Sequence, residues 1–518
     1  MKWTVIAAAK RVIEREQGAI SKDWGGRLPL ALIFPNTYRV GMSSLALQTL
    51  YRSFNARPDI VCERVFCGLR TIVPGEEPVS LEGQHRLGDF GVLASSFSFE
   101  LDYLNYVMLL KAAGIPVLAR DRGDEYPLLL AGGPAVSANP EPLAEVCDAF
   151  VIGEVEPILT RLLDTLCAGY ASGRERLLQN LEEIPGVYVP TRPGVIERQS
   201  LRDLDIYPTQ TAVYAKDTEF GDMHLLEIAR GCAHGCRFCL AGCLYRPHRE
   251  RSPRLLLEQA RQGRQYRRKV GLVSAAVSDY SRLDELLAGL AELQMLVSVS
   301  SLRVDPLPEE LLAALAASGA RTLTLAPEAG SERLRTYIRK GVHEDDICRA
   351  AEAAARFRFP EVKLYFMLGL PTEEEEDVNA IPLVFDSIAR VFDGQLSASV
   401  ATFVPKAHTP FERTSMTDDD VLKNRYRILK RALQSRSVRL SADGIPWSTI
   451  QAVLARGDRR LGLVLAGMTE NSLAQWNVSM AAQGLSNADF TRLRAPEENL
   501  PWGHIRLGPG GASPGEEM

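Results

Sequence analysis

The chain has 518 residues, a net charge of −5, 46% apolar residues and 24% charged residues. This is the make-up of an ordinary globular protein, long enough for two to four domains, and its mild acidity gives no global pull toward nucleic acid or membrane surfaces. Nine cysteines in a chain this long do not make a disulfide framework, and no run of about 18 apolar residues predicts a membrane span.

The opening Met1-Lys2-Trp3-Thr4-Val5-Ile6-Ala7-Ala8-Ala9 has the outline of a signal peptide. However, Lys10, Arg11, Glu14, Arg15 and Glu16 follow at once without a small-residue cleavage site, so an amphipathic first helix is expected. Residues 28–170 then alternate between strand and helix patterns. Strands are expected at Leu30–Phe34, Phe90–Ser95, Leu128–Ala131 and Ala149–Ile152, and helices at Ser43–Ser53 and Leu101–Ala113. Two of the strands end in glycines, Gly132-Gly133 and Gly153. Glycine at a strand end lets backbone approach a bound ligand closely, and the alternation reads as a Rossmann-like, doubly wound domain.

The middle third opens on Leu225–Ala229 and the run Glu227-Ile228-Ala229-Arg230-Gly231-Cys232-Ala233-His234-Gly235-Cys236-Arg237-Phe238-Cys239. Three thiolates spaced C-x3-C-x2-C on one loop suit three irons of a four-iron, four-sulfur (4Fe–4S) cluster. The fourth iron is left open for chemistry, by the same logic that separates catalytic from closed metal sites. The alternative is a zinc site with His234 or Cys243 as fourth ligand, although zinc sites usually pair ligands as C-x2-C modules. Cys243 could also be a fourth cluster ligand, or a small buried residue. Five further strand patterns follow, at Val270–Ser274, Val297–Val304, Thr322–Leu325, Val362–Leu368 and Leu396–Phe403, with helices between them. Successive β/α units imply a parallel sheet curling into a partial barrel, with ligands at the C-terminal strand ends. The acid run Glu373–Asp377 is expected to start a helix capped by Thr372, its carboxylates at the positive end of the helix dipole.

The cysteine spacing and the units behind it resemble the radical S-adenosylmethionine (SAM) superfamily. The resemblance implies an α/β fold with a partial (β/α)6 barrel. It also implies a 4Fe–4S cluster on Cys232, Cys236 and Cys239, SAM on the open iron, and one-electron cleavage of SAM to methionine and a 5′-deoxyadenosyl radical. Residue by residue, Ser278 stands where the family binds the SAM amine, and Arg303 near the ribose position, where many relatives carry an acid. Glu328, in Pro327-Glu328-Ala329-Gly330-Ser331, would face SAM, and Lys340 stands where relatives pair the SAM carboxylate. Gly369, in Gly369-Leu370-Pro371-Thr372, belongs to a turn packed near the adenine.

A Rossmann-like domain ahead of such a barrel resembles the cobalamin-binding branch, as does Pro35-Asn36-Thr37-Tyr38-Arg39-Val40-Gly41-Met42-Ser43. Domains of that branch carry D-x-H-x-x-G, whose histidine ligates cobalt; here Asn36, Tyr38 and Gly41 stand in its place. His85 lies in another context and reads as a surface or linker residue. The resemblance leaves two expectations open. Cobalamin binds without a histidine, through Asn36, Tyr38, Gly41 and the turns at Gly132, Gly133 and Gly153, or the domain keeps only the fold.

Beyond residue 412 the chain reads as mostly helical: Asp418–Ser435, Trp447–Leu454 and Leu461–Met468. The stretches Phe403–Phe411, Ala455–Arg460 and Leu500–Ile505 resemble the same branch. The expected domains are 1–200 (Rossmann-like), 201–411 (barrel), 412–506 (helical) and 507–518 (a Gly- and Pro-rich disordered tail). A basic cluster from Arg246 to Lys269 reads either as a docking surface for RNA or an acidic electron donor, or as a solvated helix face. The expected function is that of a radical SAM enzyme, with cobalamin-dependent methyl transfer as one outcome. It would be cytoplasmic and reduced by a flavodoxin- or ferredoxin-type donor. The alternative is a non-catalytic iron–sulfur electron carrier or sensor.

Overall fold

In the first third the apolar runs become the strands β1 (Leu28–Phe34), β2 (Ile60–Phe66), β3 (Val92–Ser96), β4 (Leu128–Gly132) and β5 (Ala149–Val151), with a short β6 (Val187–Tyr188). The computed structural model describes residues 3–69, 75–170, 172–192 and 194–508. The strands are ordered β2-β1-β3-β4-β5-β6; the first five are parallel and β6 runs antiparallel to β5. Every residue of β1, β2 and β3 is buried, as expected of parallel strands covered on both faces. The order is doubly wound, and its direction switches between β1 and β3. Among the helices of this unit are α1 (Trp3–Ile13), α2 (Leu45–Asn55) and α3 (Asp102–Ala112).

Strand β2 has no counterpart among the expected elements, because Glu63 and Arg64 interrupt its apolar run. Both are buried. Arg64 is held between Glu16 at 2.5 Å and Glu82 at 2.7 Å. Glu63 accepts from Trp24 Nε1 at 2.7 Å and meets His85 Nδ1 at 3.1 Å.

The second unit carries β7 (Met223–Glu227), β8 (Lys269–Val273), β9 (Leu296–Ser298), β10 (Thr322–Glu328), β11 (Glu361–Leu368), β12 (Gln395–Thr402) and β13 (Arg439–Ala442). They form two parallel sheets, β9-β8-β7 and β10-β11-β12-β13. A single parallel bridge, Leu302 to Leu325, joins them. The strands thus succeed one another in chain order in an open, curved array, with α4 (Pro253–Arg264), α5 (Leu283–Glu292), α6 (Glu309–Ala317), α7 (Glu332–Tyr337), α8 (Glu344–Arg356), α9 (Glu375–Ile388) and α10 (Asp419–Gln434) between and after them. On β11, Val362, Leu364 and Phe366 share one buried core with Val378, Ile381 and Phe385 of α9, and the ring centres of Phe366 and Phe385 lie 6.0 Å apart. Lys363, Tyr365 and Met367, on the other face, are only half-buried.

The expected domain limits need correction. The two compact units are the described residues of Met1–Asp222, Val453–Phe490 and Glu497–Gly511, and those of Met223–Ala452 and Thr491–Pro496. Residues 412–506 therefore form no body of their own. Helix α10 and the seventh strand, β13, extend the barrel, and the helix Arg460–Gly467 belongs with the first unit. Strand β13 escapes a reading by pattern because it is four residues long with one large apolar side chain, Leu440. The expected tail lies outside the described residues beyond Gly508.

Candidate active site

The cysteine loop leaves β7 through a small antiparallel clasp, Ala229–Arg230 against Arg249–Glu250. Glu227, the last residue of β7, holds the clasp from inside: it accepts from Arg230 Nη2 at 2.9 Å and Arg251 Nη2 at 2.6 Å. Burial alone would raise its carboxyl, but the two guanidinium groups outweigh that and hold it below the ordinary range. Gly231 then turns the chain at φ +85°, where an added Cβ would lie 2.3 Å from the Tyr245 carbonyl oxygen; only glycine fits.

The loop is fastened on its far side as well. The Arg237 amide donates to the Ile338 carbonyl at 3.0 Å, and its guanidinium lies 5.2 Å from the centre of the Tyr337 ring. Phe238 packs on a cluster of Ala329, Leu334, Ile338, Leu370, Phe403 and Phe411. The Cys239 amide closes a turn on the Cys236 carbonyl at 3.1 Å.

Cys236 is buried, and Cys232 and Cys239 are half-buried. Burial pushes the thiols of Cys232 and Cys239 up, so thiolates here need a cationic partner, and iron is one. Among the described residues no three His, Cys, Asp or Glu side chains gather as they would on one metal ion; a four-iron cluster is larger and holds its cysteines further apart. His234, one of the two fourth zinc ligands considered, has its Nε2 on Asp279 Oδ2 at 2.5 Å. Cys243 lies in the short helix Leu240–Leu244, its thiol pushed up to about 11 by burial.

The expected SAM residues of the barrel converge on this loop. Arg303 Nη1 lies 3.9 Å from Cys236 Sγ, and its Nη2 donates to the Lys340 carbonyl at 2.9 Å. Lys340 Nζ is 3.2 Å from Glu328 Oε1. Glu328 ends β10 at φ +71°, a conformation that costs a residue with a Cβ free energy and recurs at functional sites. Burial raises its carboxyl, with Lys340 and Arg303 pulling the other way. In the turn Val277–Asp279 beyond β8, Ser278 Oγ and Asp279 Oδ1 are buried without a protein partner among the described residues, which suits a ligand carrying hydrogen-bond donors. Gly369 is buried after β11 at φ +85°.

The acid run differs from expectation. Thr372 is no cap; it stands at φ +63°, and the helix begins after Glu374, whose amide donates to Asp377 at 2.8 Å. Glu374, Glu375 and Glu376 are exposed, as a solvated helix start should be, but Glu373 is buried under the Gly369 turn.

The residues expected to face cobalamin are mostly committed elsewhere. The Tyr38 hydroxyl donates to Glu16 at 2.7 Å inside the Arg64 cluster. Asn36 Nδ2 donates to Asp102 Oδ1 at 2.8 Å; Asp102 is buried and raised to about 6 by burial. An added Cβ on Gly41 would meet the Phe66 ring, on Gly133 the Phe97 backbone and on Gly153 the Gln199 backbone. These three glycines serve the chain's own packing. Gly132 is the exception, with nothing nearer than Val151 at 3.8 Å.

The basic cluster is not one surface. Arg249 and Arg251 are buried, whereas Arg261, Arg264 and Arg268 are exposed. The last three stand in or beyond the last turn of the 12-residue α4, about 12 Å or more from its first residue. The sequence singles out His234, Asp279 and Glu373 but not the pairing of His234 with Asp279, the arginines on Glu227 or the burial of Glu373; the histidine between the cysteines was the one visible signal.

A doubly wound domain with an open β/α barrel whose first strand end carries three cysteines is the architecture of a radical SAM protein, and comparison with known proteins agrees. Residues 46–190 match the family model described as radical SAM proteins, N-terminal, and residues 226–381 match the radical SAM superfamily. The uncharacterized protein MJ0966 of Methanocaldococcus jannaschii is 31% identical over 446 residues, covering 84% of this chain and 90% of that one. The chain belongs to the radical SAM superfamily, a family of enzymes that use SAM and a 4Fe–4S cluster. Its fold is that of the cobalamin-type branch. The radical SAM methyltransferase TsrM from Kitasatospora setae, solved with cobalamin and a 4Fe–4S cluster, superposes with a TM-score of 0.56 at 12% identity, covering 88% of this chain and 99% of that one. The cobalamin-dependent SAM radical enzyme OxsB superposes with a TM-score of 0.50 at 16% identity, covering 69% and 52%. No helix among the described residues is long and apolar enough to cross a membrane.

Proposed function

We propose that this protein cleaves SAM reductively at a 4Fe–4S cluster held by Cys232, Cys236 and Cys239, and that its full reaction is cobalamin-dependent methyl transfer to a carbon substrate. When bound, the cluster would supply one electron and an open coordination position for the cleavage of SAM. The observation that carries the reading is Arg303, which reaches from Cys236 to the Lys340 backbone and so gathers the cysteine loop and the Glu328–Lys340 pair at one mouth. In this reading Lys340 holds the SAM carboxylate, and Ser278 and Asp279 accept from its amine. The loop's hydrophobic seat under Phe238 excludes water from the reacting groups. A non-catalytic iron–sulfur carrier would have no use for buried acceptors beside an open iron.

Cobalamin, when bound, would carry the methyl group between SAM and the substrate. With Tyr38 spent on Glu16, this chain offers it no side-chain ligand at the usual position, and it would rest on backbone near Gly132 and the crevice between β1 and β3. The electron donor is a flavodoxin- or ferredoxin-type protein and the setting is the reducing cytoplasm. RNA as substrate draws no support from the divided basic cluster.

The test is anaerobic purification with cobalamin supplied, followed by an absorption spectrum, cofactor extraction and an assay for 5′-deoxyadenosine. A cluster with 5′-deoxyadenosine formation and about one cobalamin per chain is the expected result. A cluster that forms no 5′-deoxyadenosine would overturn the first part of the reading, and a cluster without cobalamin would overturn the second.

A further inference from the structure

The Gly369-Leu370-Pro371-Thr372 turn is braced from a part of the chain that lies beyond residues 226–381, the span matched to the superfamily. Both carboxylate oxygens of Glu373 accept from the Gly369 amide at 3.0 Å, and Oε2 also from the Leu370 amide at 3.4 Å. Arg425, on α10, completes the arrangement. Its Nη1 donates to Glu373 Oε1 at 2.8 Å and its Nη2 to the Glu373 carbonyl at 2.7 Å. Thr417 Oγ1 donates to the Gly369 carbonyl at 3.2 Å, and Leu422 closes over Gly369, where an added Cβ would lie 2.8 Å from its Cδ2.

The Glu373 side chain is 2% exposed and that of Arg425 18%. A buried carboxylate that orders two backbone amides holds that geometry only while its charge is compensated, and a two-pronged guanidinium fixes direction as well as charge. An isolated barrel motif ending at residue 381 would leave Glu373 uncompensated.

We infer that Arg425 is a positioning residue for SAM: acting through Glu373, it sets the shape of the Gly369–Thr372 turn, where the resemblance to the superfamily would put the adenine. The inference rests on the radical SAM reading and deepens it. It assigns to α10, outside the matched motif, a share of SAM recognition separate from chelation at the cluster.

The experiment uses full-length, cluster-loaded protein, comparing wild type with Arg425→Lys, Glu373→Gln and, as a control on the same helix, the exposed Arg427→Ala. SAM is titrated against the reduced protein while the electron paramagnetic resonance spectrum of the cluster is followed, and 5′-deoxyadenosine is used as competitor. The expected result for Arg425→Lys and Glu373→Gln is a midpoint for SAM raised on the order of tenfold. 5′-Deoxyadenosine should weaken in parallel, while iron content and the limiting spectrum at saturating SAM stay as in wild type and Arg427→Ala is unchanged. An unshifted midpoint, or loss of cluster content or of the limiting spectrum in both variants, would overturn the inference. Wild-type protein whose spectrum does not respond to SAM at all would instead sink the radical SAM reading itself.

Discussion

His224 offers the sharpest quantitative test of the barrel. It stands in β7 at 0% exposure, against Gly263 of α4, where an added Cβ would come within 2.3 Å of the imidazole. Burial lowers its pKa from 6.5 to about 4, with the Gln259 backbone pulling weakly the other way. The unfolded chain therefore takes up this proton before the folded one does. The stabilisation from keeping the ring neutral is complete above the unfolded value and is lost as the pH falls from 6.5 toward 4. The whole difference is worth about 3 kcal/mol, of which about 2 kcal/mol is lost by about pH 5. Amide hydrogen exchange read by mass spectrometry on peptides from β7 and α4 reports that local stability. After correction for intrinsic exchange, protection in wild type should fall roughly thirtyfold between about pH 7.5 and about pH 5, and His224→Gln should lack that extra fall whatever its absolute stability. Equal pH dependence in the two proteins would refute the assignment.

Other consequences are as direct. Cys236→Ala should abolish both the iron–sulfur absorption and 5′-deoxyadenosine formation; a retained, active cluster would contradict the ligand assignment. Gly231→Ala should cut cluster incorporation, measured as iron per chain, because the added methyl collides with the Tyr245 carbonyl. Lys340→Met leaves Glu328 buried without its cation and should weaken SAM binding by roughly tenfold to a hundredfold, checked by equilibrium titration. Arg64→Met leaves Glu16 and Glu82 buried without their guanidinium and should destabilise the first unit by about 3–5 kcal/mol, read in its denaturant midpoint; a change within about 0.5 kcal/mol would show that the cluster is not held by charge.

Legibility followed the range of the interactions. The cysteine spacing, the β/α alternation and the placing of Ser278, Arg303 and Glu328 at or after strand ends, with Lys340 beyond the next helix, are local patterns that are found in the fold. Strand β2 did not read as a strand because its charges, Glu63 and Arg64, find partners in Trp24, Glu16 and Glu82, far off in the chain. Strand β13 was hidden by its shortness.

The glycines show the limit most plainly. Gly133 and Gly153 look like ligand-facing turns in sequence, yet each is required by the backbone of another segment, Phe97 or Gln199. Spacing by itself determined that three thiolates share one loop and that a barrel follows, because soft-ligand chemistry and hydrophobic periodicity are written along the chain. Only the tertiary structure decided that Tyr38 is turned onto Glu16 and that Arg425 stands over the Gly369 turn. A buried charge is settled by whichever partner reaches it in space, and sequence distance carries no record of that.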